Sequence, residues 1–170
     1  MKPRKSWREK LADSKDLPKV ERIPIRLAAR WGTGTFVIPA PIEVDAIMKR
    51  VPKGKLATIN EIRALLARRH GASTACPITT GIFAWISAHA AAQDEREGRK
   101  RVTPYWRTLK QHGEINPKYP GGIAAQRARL RAEGHRVVTR GRKFYVEDFA
   151  ASLVRILPPM NVQKIQESGR

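Results

Sequence analysis

The chain has 170 residues, with 34 Lys and Arg against 15 Asp and Glu, a formal net charge of +19 and a sequence pI near 11.1. At 41% hydrophobic residues it can build one domain of ordinary size with short tails. A single cysteine, Cys76, excludes an intramolecular disulfide and a Cys-rich zinc site. The scattered His70, His89, His112 and His135 lack metal-ligand spacing, so no metal or other cofactor is expected.

A field this positive attracts polyanions before any specific contact forms, with nucleic acid as first partner and a membrane surface as second. The charged start and the lack of any apolar run near the ~20 residues of a membrane span argue against membrane insertion. The expected location is cytoplasmic, or nucleoid-associated for a bacterial source.

Residues 1–38 read as a basic arm. Ser6 caps a short helix carrying Trp7 and Leu11, with Glu9 at the capping-box position, and Pro18 and Pro24 rule out a further helix across the rest of the arm. Trp7 is the expected anchor of the arm on the domain. After a Gly- and Thr-rich turn, Phe36, Val37 and Ile38 form a short extended piece. The domain itself is expected over 39–157, with a tail over 158–170.

From Pro41 the spacing of Ile42, Ala46, Ile47 and Val51 predicts a helix, stopped by Pro52 and Gly54. Thr58 and Glu61 then form a second capping box. It opens a helix whose buried face is Ile62, Leu65 and Leu66, with Arg63, Arg68 and Arg69 pointing elsewhere and Gly71 as the stop. Pro77 suits the first position of the next helix, where Ile78, Ile82, Trp85, Ile86 and His89 line one side. Two helices joined by a tight Gly-containing turn are the sequence image of a helix-turn-helix.

Pro104-Tyr105-Trp106-Arg107 and a polar loop lead to a helix over Ile123 to Glu133, bearing Arg127, Arg129 and Arg131. Val137-Val138 and Phe144-Tyr145-Val146, with Arg140-Gly141-Arg142 between them, predict a β-hairpin with a basic tip, placed as a wing would be. The fold class expected is mainly α with a small β-hairpin, a winged helix-turn-helix.

Four stretches in this order resemble the DNA-binding domain of the O6-alkylguanine-DNA alkyltransferases. They are Val51 to Thr58, Cys76 to Ile86, Pro104 to Arg107, and Tyr119-Pro120-Gly121-Gly122 with its helix ending Ala132-Glu133-Gly134-His135. The resemblance spans roughly 40–146. It implies a degenerate active-site motif at Pro104, Tyr105, Trp106 and Arg107, where the family carries Pro-Cys-His-Arg. It also implies a lesion pocket walled by Tyr105, Trp106, Tyr119, Gly121, Gly122 and Glu133.

Alkyl transfer needs a thiolate made reactive by the adjacent histidine. Here Tyr105 and Trp106 hold those positions, and a phenol with an ordinary pKa of about 10 is a poor substitute. In this respect the chain is similar to the alkyltransferase-like proteins, which bind alkylated guanine without removing the alkyl group and hand the lesion to excision repair. Two family devices for extruding a base are missing. Ile59 stands where the family has a tyrosine, and no arginine occurs between Cys76 and Ala92, where Ile78 falls near the arginine position. An aliphatic wedge at Ile59 or Ile78 is the alternative.

The expected DNA-contacting residues are Lys53, Lys55, Thr58, Ile59, Ile78, Thr79, Thr80, Arg127, Arg140, Arg142 and Lys143. Tyr105 and Trp106 either floor the pocket, stacking a base, or plug it. Three functions stand side by side. The first is a monomeric, non-enzymatic binder of alkylated or distorted duplex DNA, with a repair protein as its further partner. The second is an enzyme using Cys76, at a helix start that would activate a thiol, or Tyr105. The third is a nucleoid- or RNA-associated structural protein kept for its charge.

Overall fold

The computed structural model describes residues 2–155, so the tail expected over 158–170 lies outside the described residues. The chain is mainly helical, with three small sheets. Helix α1 (Trp7–Ala12) starts as the sequence dictates: Ser6 Oγ accepts from Glu9 N–H at 3.2 Å and Glu9 accepts from Ser6 N–H at 2.6 Å. Trp7 anchors it, stacked on the His89 ring at 4.4 Å and edge-on to Trp85 at 4.8 Å. Arg8 adds ion pairs to Asp94 and Glu97.

Strand β1 (Lys19–Arg22) comes next, unforeseen because all four residues are exposed and carry no alternation. The short helix α2 (Ala28–Trp31) precedes β2 (Thr35–Ile38), the extended apolar piece expected there. β1 pairs antiparallel with β2, Lys19 opposite Ile38 and Arg22 opposite Thr35.

Helix α3 (Pro41–Lys49) has proline at its first turn, and Glu43 accepts from Ala40 N–H at 2.9 Å. Its buried side differs from the predicted stripe. Ile42 and Ala46 face outward, while Val44, Asp45, Ile47 and Met48 are buried. A buried carboxylate is tolerated only when its oxygens are satisfied. Asp45 Oδ1 accepts from Ser87 Oγ at 2.6 Å and Thr103 Oγ1 at 2.7 Å, and Oδ2 lies 3.0 Å from Lys49 Nζ.

A two-residue strand β3 (Ala57–Thr58) leads into α4 (Ile59–His70), whose Thr58/Glu61 capping box is present and whose buried face includes Ile62, Leu65 and Leu66. Gly71 ends it at φ +63°, a conformation that favours glycine. Strand β4 (Thr74–Ala75) pairs parallel with β2, completing the order β1-β2-β4.

Helix α5 (Pro77–Arg96) is the longest, and its orientation corrects the expected side. Ala84, Ser87, Ala88 and Ala91 turn into the core, whereas Ile78 is 64% and Ile82 46% exposed. The helix is apolar on both faces, so periodicity cannot choose. Small side chains face α3 because they let the two backbones approach closely.

A short 3₁₀ turn at Tyr105–Arg107 runs into β5 (Thr108–Leu109), parallel to β3. Helix α6 (Gly122–Ala132) and the hairpin β6 (Val137–Arg140) and β7 (Lys143–Val146) lie where expected. A last short helix, α7 (Phe149–Ser152), carries no sequence signal of its own. Two apolar clusters result. The first joins α3, α4 and α5 around Val37, Met48 and Leu66; the second joins Leu56, Leu109, Leu130 and Val146.

Candidate nucleic-acid interface

The exposed side of α5 forms one wall of an open cleft of about 840 Å³. Ile78 and Ile82 stand at its mouth, with Gly81 between them leaving the helix backbone uncovered. The start of α4 gives the second wall through Ile59, Asn60 and Arg63, and the loop between β5 and α6 gives the third. That loop is held from behind. Gln126, fully buried on α6, donates to Asn116 O at 2.6 Å and to Gly122 O at 3.1 Å. Asn116 Oδ1 accepts from Lys118 N–H at 3.0 Å, a local turn.

Trp85 Nε1 donates to Lys118 O at 3.1 Å, and His89 Nε2 lies 3.3 Å from the same carbonyl, closing the far end of the cleft. Burial pushes the His89 pKa down, against the Lys118 carbonyl, which raises it. Tyr119 lies buried against the cleft, and burial pushes its phenol far above the ordinary range.

Arg63, expected to point away, folds across the helix-turn-helix instead. Its Nε donates to Ala75 O at 2.9 Å and its Nη2 to Thr74 Oγ1 at 3.2 Å, which carries the guanidinium into the cleft wall. Burial lowers its pKa, yet a guanidinium stays charged at any relevant pH. Lys110, Asn116 and Lys118 also line the cleft and are not singled out by the sequence; the Asn116-Pro117-Lys118 turn is the one local sign of a shaped loop.

The degenerate motif sits behind the cleft, in the protein interior. Tyr105 is 3% exposed, edge-on to Trp106 at 5.4 Å and to Tyr119 at 6.0 Å, and burial raises its phenol above the ordinary value. Trp106 Nε1 donates to Glu133 at 3.0 Å, and Arg107 grips the same carboxylate through Nε at 2.9 Å and Nη2 at 2.7 Å. Gly54 N–H adds a fourth donor group at 3.3 Å, and Arg107 Nη1 reaches Val51 O at 2.8 Å. Glu133 thus ties the motif to the segment leading into α4. Arg129 lies over the Trp106 ring at 4.3 Å and pairs with Glu95 at 2.7 Å. Gly121 and Gly122 make the tight entry to α6 at φ +76° and +64°.

Other predicted residues are dispersed. Thr58 and Thr80 are buried: Thr58 caps α4 and Thr80 Oγ1 donates to Cys76 O at 2.6 Å, so neither presents its side chain outward. Thr79 is half-buried, Ile59 half-buried at the cleft, and Lys53 and Lys55 exposed on the turn before α4. Arg140, Arg142 and Lys143 are exposed on the hairpin, where Arg140 overlies Tyr145 at 5.5 Å. Arg127 lies 5.8 Å from the Phe144 ring. Cys76 is 5% exposed, its Sγ 3.5 Å from Thr79 N–H at the start of α5. No described helix is long and apolar enough to cross a membrane.

Two solved structures are similar to this chain. One is the crystal structure of S. pombe Atl1 in complex with damaged DNA containing O6-carboxymethylguanine, at 20% identity and a TM-score of 0.45. The other is that of S. pombe ATL in complex with DNA, at 19% identity and a TM-score of 0.44. Each match covers 68% of this chain and 94% of the other. No family model matches the sequence, and no curated protein matches it.

Proposed function

We propose that the protein binds duplex DNA carrying an alkylated or otherwise distorted base and does not transfer the alkyl group. In this reading α4, β4 and α5 act as a helix-turn-helix, the β6–β7 hairpin acts as its wing, and the protein works as a monomer that presents the lesion to a repair partner. The observation that carries it is the cleft of about 840 Å³ opening at Ile78 and Ile82, two large apolar side chains left exposed on the first turns of α5. Apolar residues on an exposed helix start suit a wedge between base steps, and the cleft behind them has room for a displaced base. Arg63 and Lys118 in its walls supply charge for the phosphates.

The absence of transfer rests on the chemistry of two side chains. Tyr105, at the acceptor position, is buried with its phenol pushed above its ordinary pKa, so at neutral pH it carries a proton and is a weak nucleophile. Cys76 is buried at the edge of the sheet rather than behind the cleft.

Binding to matched duplexes, one plain and one with a single O6-methylguanine, across a salt series tests the reading. Tighter binding to the lesion that persists at high salt is expected. Equal affinities that fall together with salt would leave phosphate contact alone, and comparable affinity for RNA would favour a structural nucleic-acid binder. A stable methyl adduct on the protein, read by mass spectrometry after incubation with the modified duplex, would overturn the non-transferring assignment.

A further inference from the structure

Between β1 and β2 the chain makes an excursion over residues 23–34 that contains no acidic residue. It is a built loop. Ile23 N–H donates to Gly34 O at 2.9 Å and closes its base, while Leu27 N–H to Pro24 O at 2.8 Å and Gly32 N–H to Ala28 O at 2.9 Å shape its interior. Trp31 packs edge-on against Phe36 at 5.3 Å and pins it to the sheet. Its far strand docks on the turn between α4 and α5. Thr35 N–H donates to Ser73 Oγ at 3.2 Å, and Gly34, at φ +106°, lies so close that a Cβ there would sit 2.2 Å from that oxygen.

What this loop presents is unusual for a surface with no partner. Ile25 is 95% exposed, the most exposed of the large apolar side chains. Arg22, Arg26 and Arg30 are exposed around it, and among the described residues none of the three pairs with a carboxylate. Three free guanidinium groups around an apolar tip complement the phosphate backbone and groove of a duplex. Their attachment to the Ser73 turn makes them continuous with the helix-turn-helix rather than with the opposite side of the molecule.

We infer that the 23–34 loop is a second DNA-contacting surface, in which Arg22, Arg26 and Arg30 bind backbone phosphates flanking the duplex segment held at the cleft and Ile25 packs against the groove between them. The inference rests on the proposed function and extends the contact beyond the cleft. It concerns affinity and reach, because phosphate contacts carry no sequence or lesion information.

The test uses the full chain and a triple variant, Arg22→Gln, Arg26→Gln and Arg30→Gln, on a long and a short duplex, each plain and with O6-methylguanine, over a salt series. Each lost phosphate contact flattens the dependence of log affinity on log salt by ~0.9, so the slope on the long duplex should fall by about two to three. The short duplex should show a smaller difference, and the preference for the lesion should be unchanged. The melting temperature should also be unchanged, since the arginines hold no ion pair; Arg26→Gln alone, with an expected slope change of about one, serves as a second variant.

Variants with the wild-type slope and affinity on every duplex would overturn the inference. So would a loss confined to vesicles of anionic phospholipid with DNA binding intact, which would make the loop a membrane contact. A wild-type chain that binds no duplex would instead sink the proposed function itself.

Discussion

Glu133 offers the sharpest test of how the motif is held. Its carboxylate is 7% exposed and faces the Arg107 guanidinium, 13% exposed, with Trp106 Nε1 and Gly54 N–H as further donors. Glu133→Gln keeps the shape and removes the charge. Arg107 is then left buried with only the Val51 carbonyl as a strong acceptor. Breaking a buried pair by removing one partner costs about 3–5 kcal/mol, because the surviving charge is uncompensated. At ~2–4 °C per kcal/mol for a domain of this size, even the lower figure lowers the melting temperature by about 6–12 °C.

The pH dependence has a defined sign. Burial alone would push the Glu133 carboxyl up, but hydrogen bonds from Arg107, Trp106 and Gly54 outweigh it and hold the pKa below the ordinary 4.5. Its contribution is therefore fully present above about pH 4.5 and is lost as pH falls through the lower folded value. Denaturant titration from pH 3 to 7 should show wild type losing stability at the acid end, with Glu133→Gln flatter and less stable at neutral pH. Adding Arg107→Met should recover much of the loss, since both charges are then gone. A single variant within 1 kcal/mol of wild type at pH 7, or a double variant worse than the sum of both singles, would refute this account.

Three further outcomes are expected. Ile78→Asp should weaken duplex binding at least ~tenfold, equivalent to about 1.4 kcal/mol, without lowering stability. An acid at the second position of α5 suits the helix dipole, so a fall in melting temperature would count against the exposed placement. Gly113→Ala should destabilise by about 1–3 kcal/mol in denaturant titration, since Gly113 holds φ +81° and a Cβ would meet the Phe149 ring at 2.4 Å. Burial depresses the His89 pKa, so its stacking on Trp7 is at full strength above the ordinary 6.5 and fades as pH falls through the lower folded value. Tryptophan fluorescence should report this acid transition, and His89→Gln should abolish it; a transition that persists in the variant would assign it elsewhere.

Local signals carried most of the helix pattern. The Ser6/Glu9 and Thr58/Glu61 capping boxes, Pro41 and Pro77 at helix starts, Gly71 at a stop and the 137–146 hairpin act over a few residues, so the sequence states them directly. The charge was legible as well, and with it the class of partner.

Long-range pairing was hidden. β3, β4 and β5 are two residues each and pair only with strands far away in the chain, and β1 is an exposed edge without alternation. The faces of α3 and α5 were also out of reach. Asp45 is buried only because Ser87 and Thr103 come to meet it, and α5 turns its alanines inward because α3 packs close against it. That choice leaves Ile78 and Ile82 exposed and creates the cleft.

The same division runs through the site. Composition and local pattern, which act on neighbours along the chain, determined that this is a basic helical protein with a helix-turn-helix-like pair and a basic hairpin. Only tertiary packing, which satisfies distant polar groups and selects between two apolar faces, decided that Tyr105 is interior, that Glu133 binds Arg107, and that Arg63 and Lys118 face the cleft.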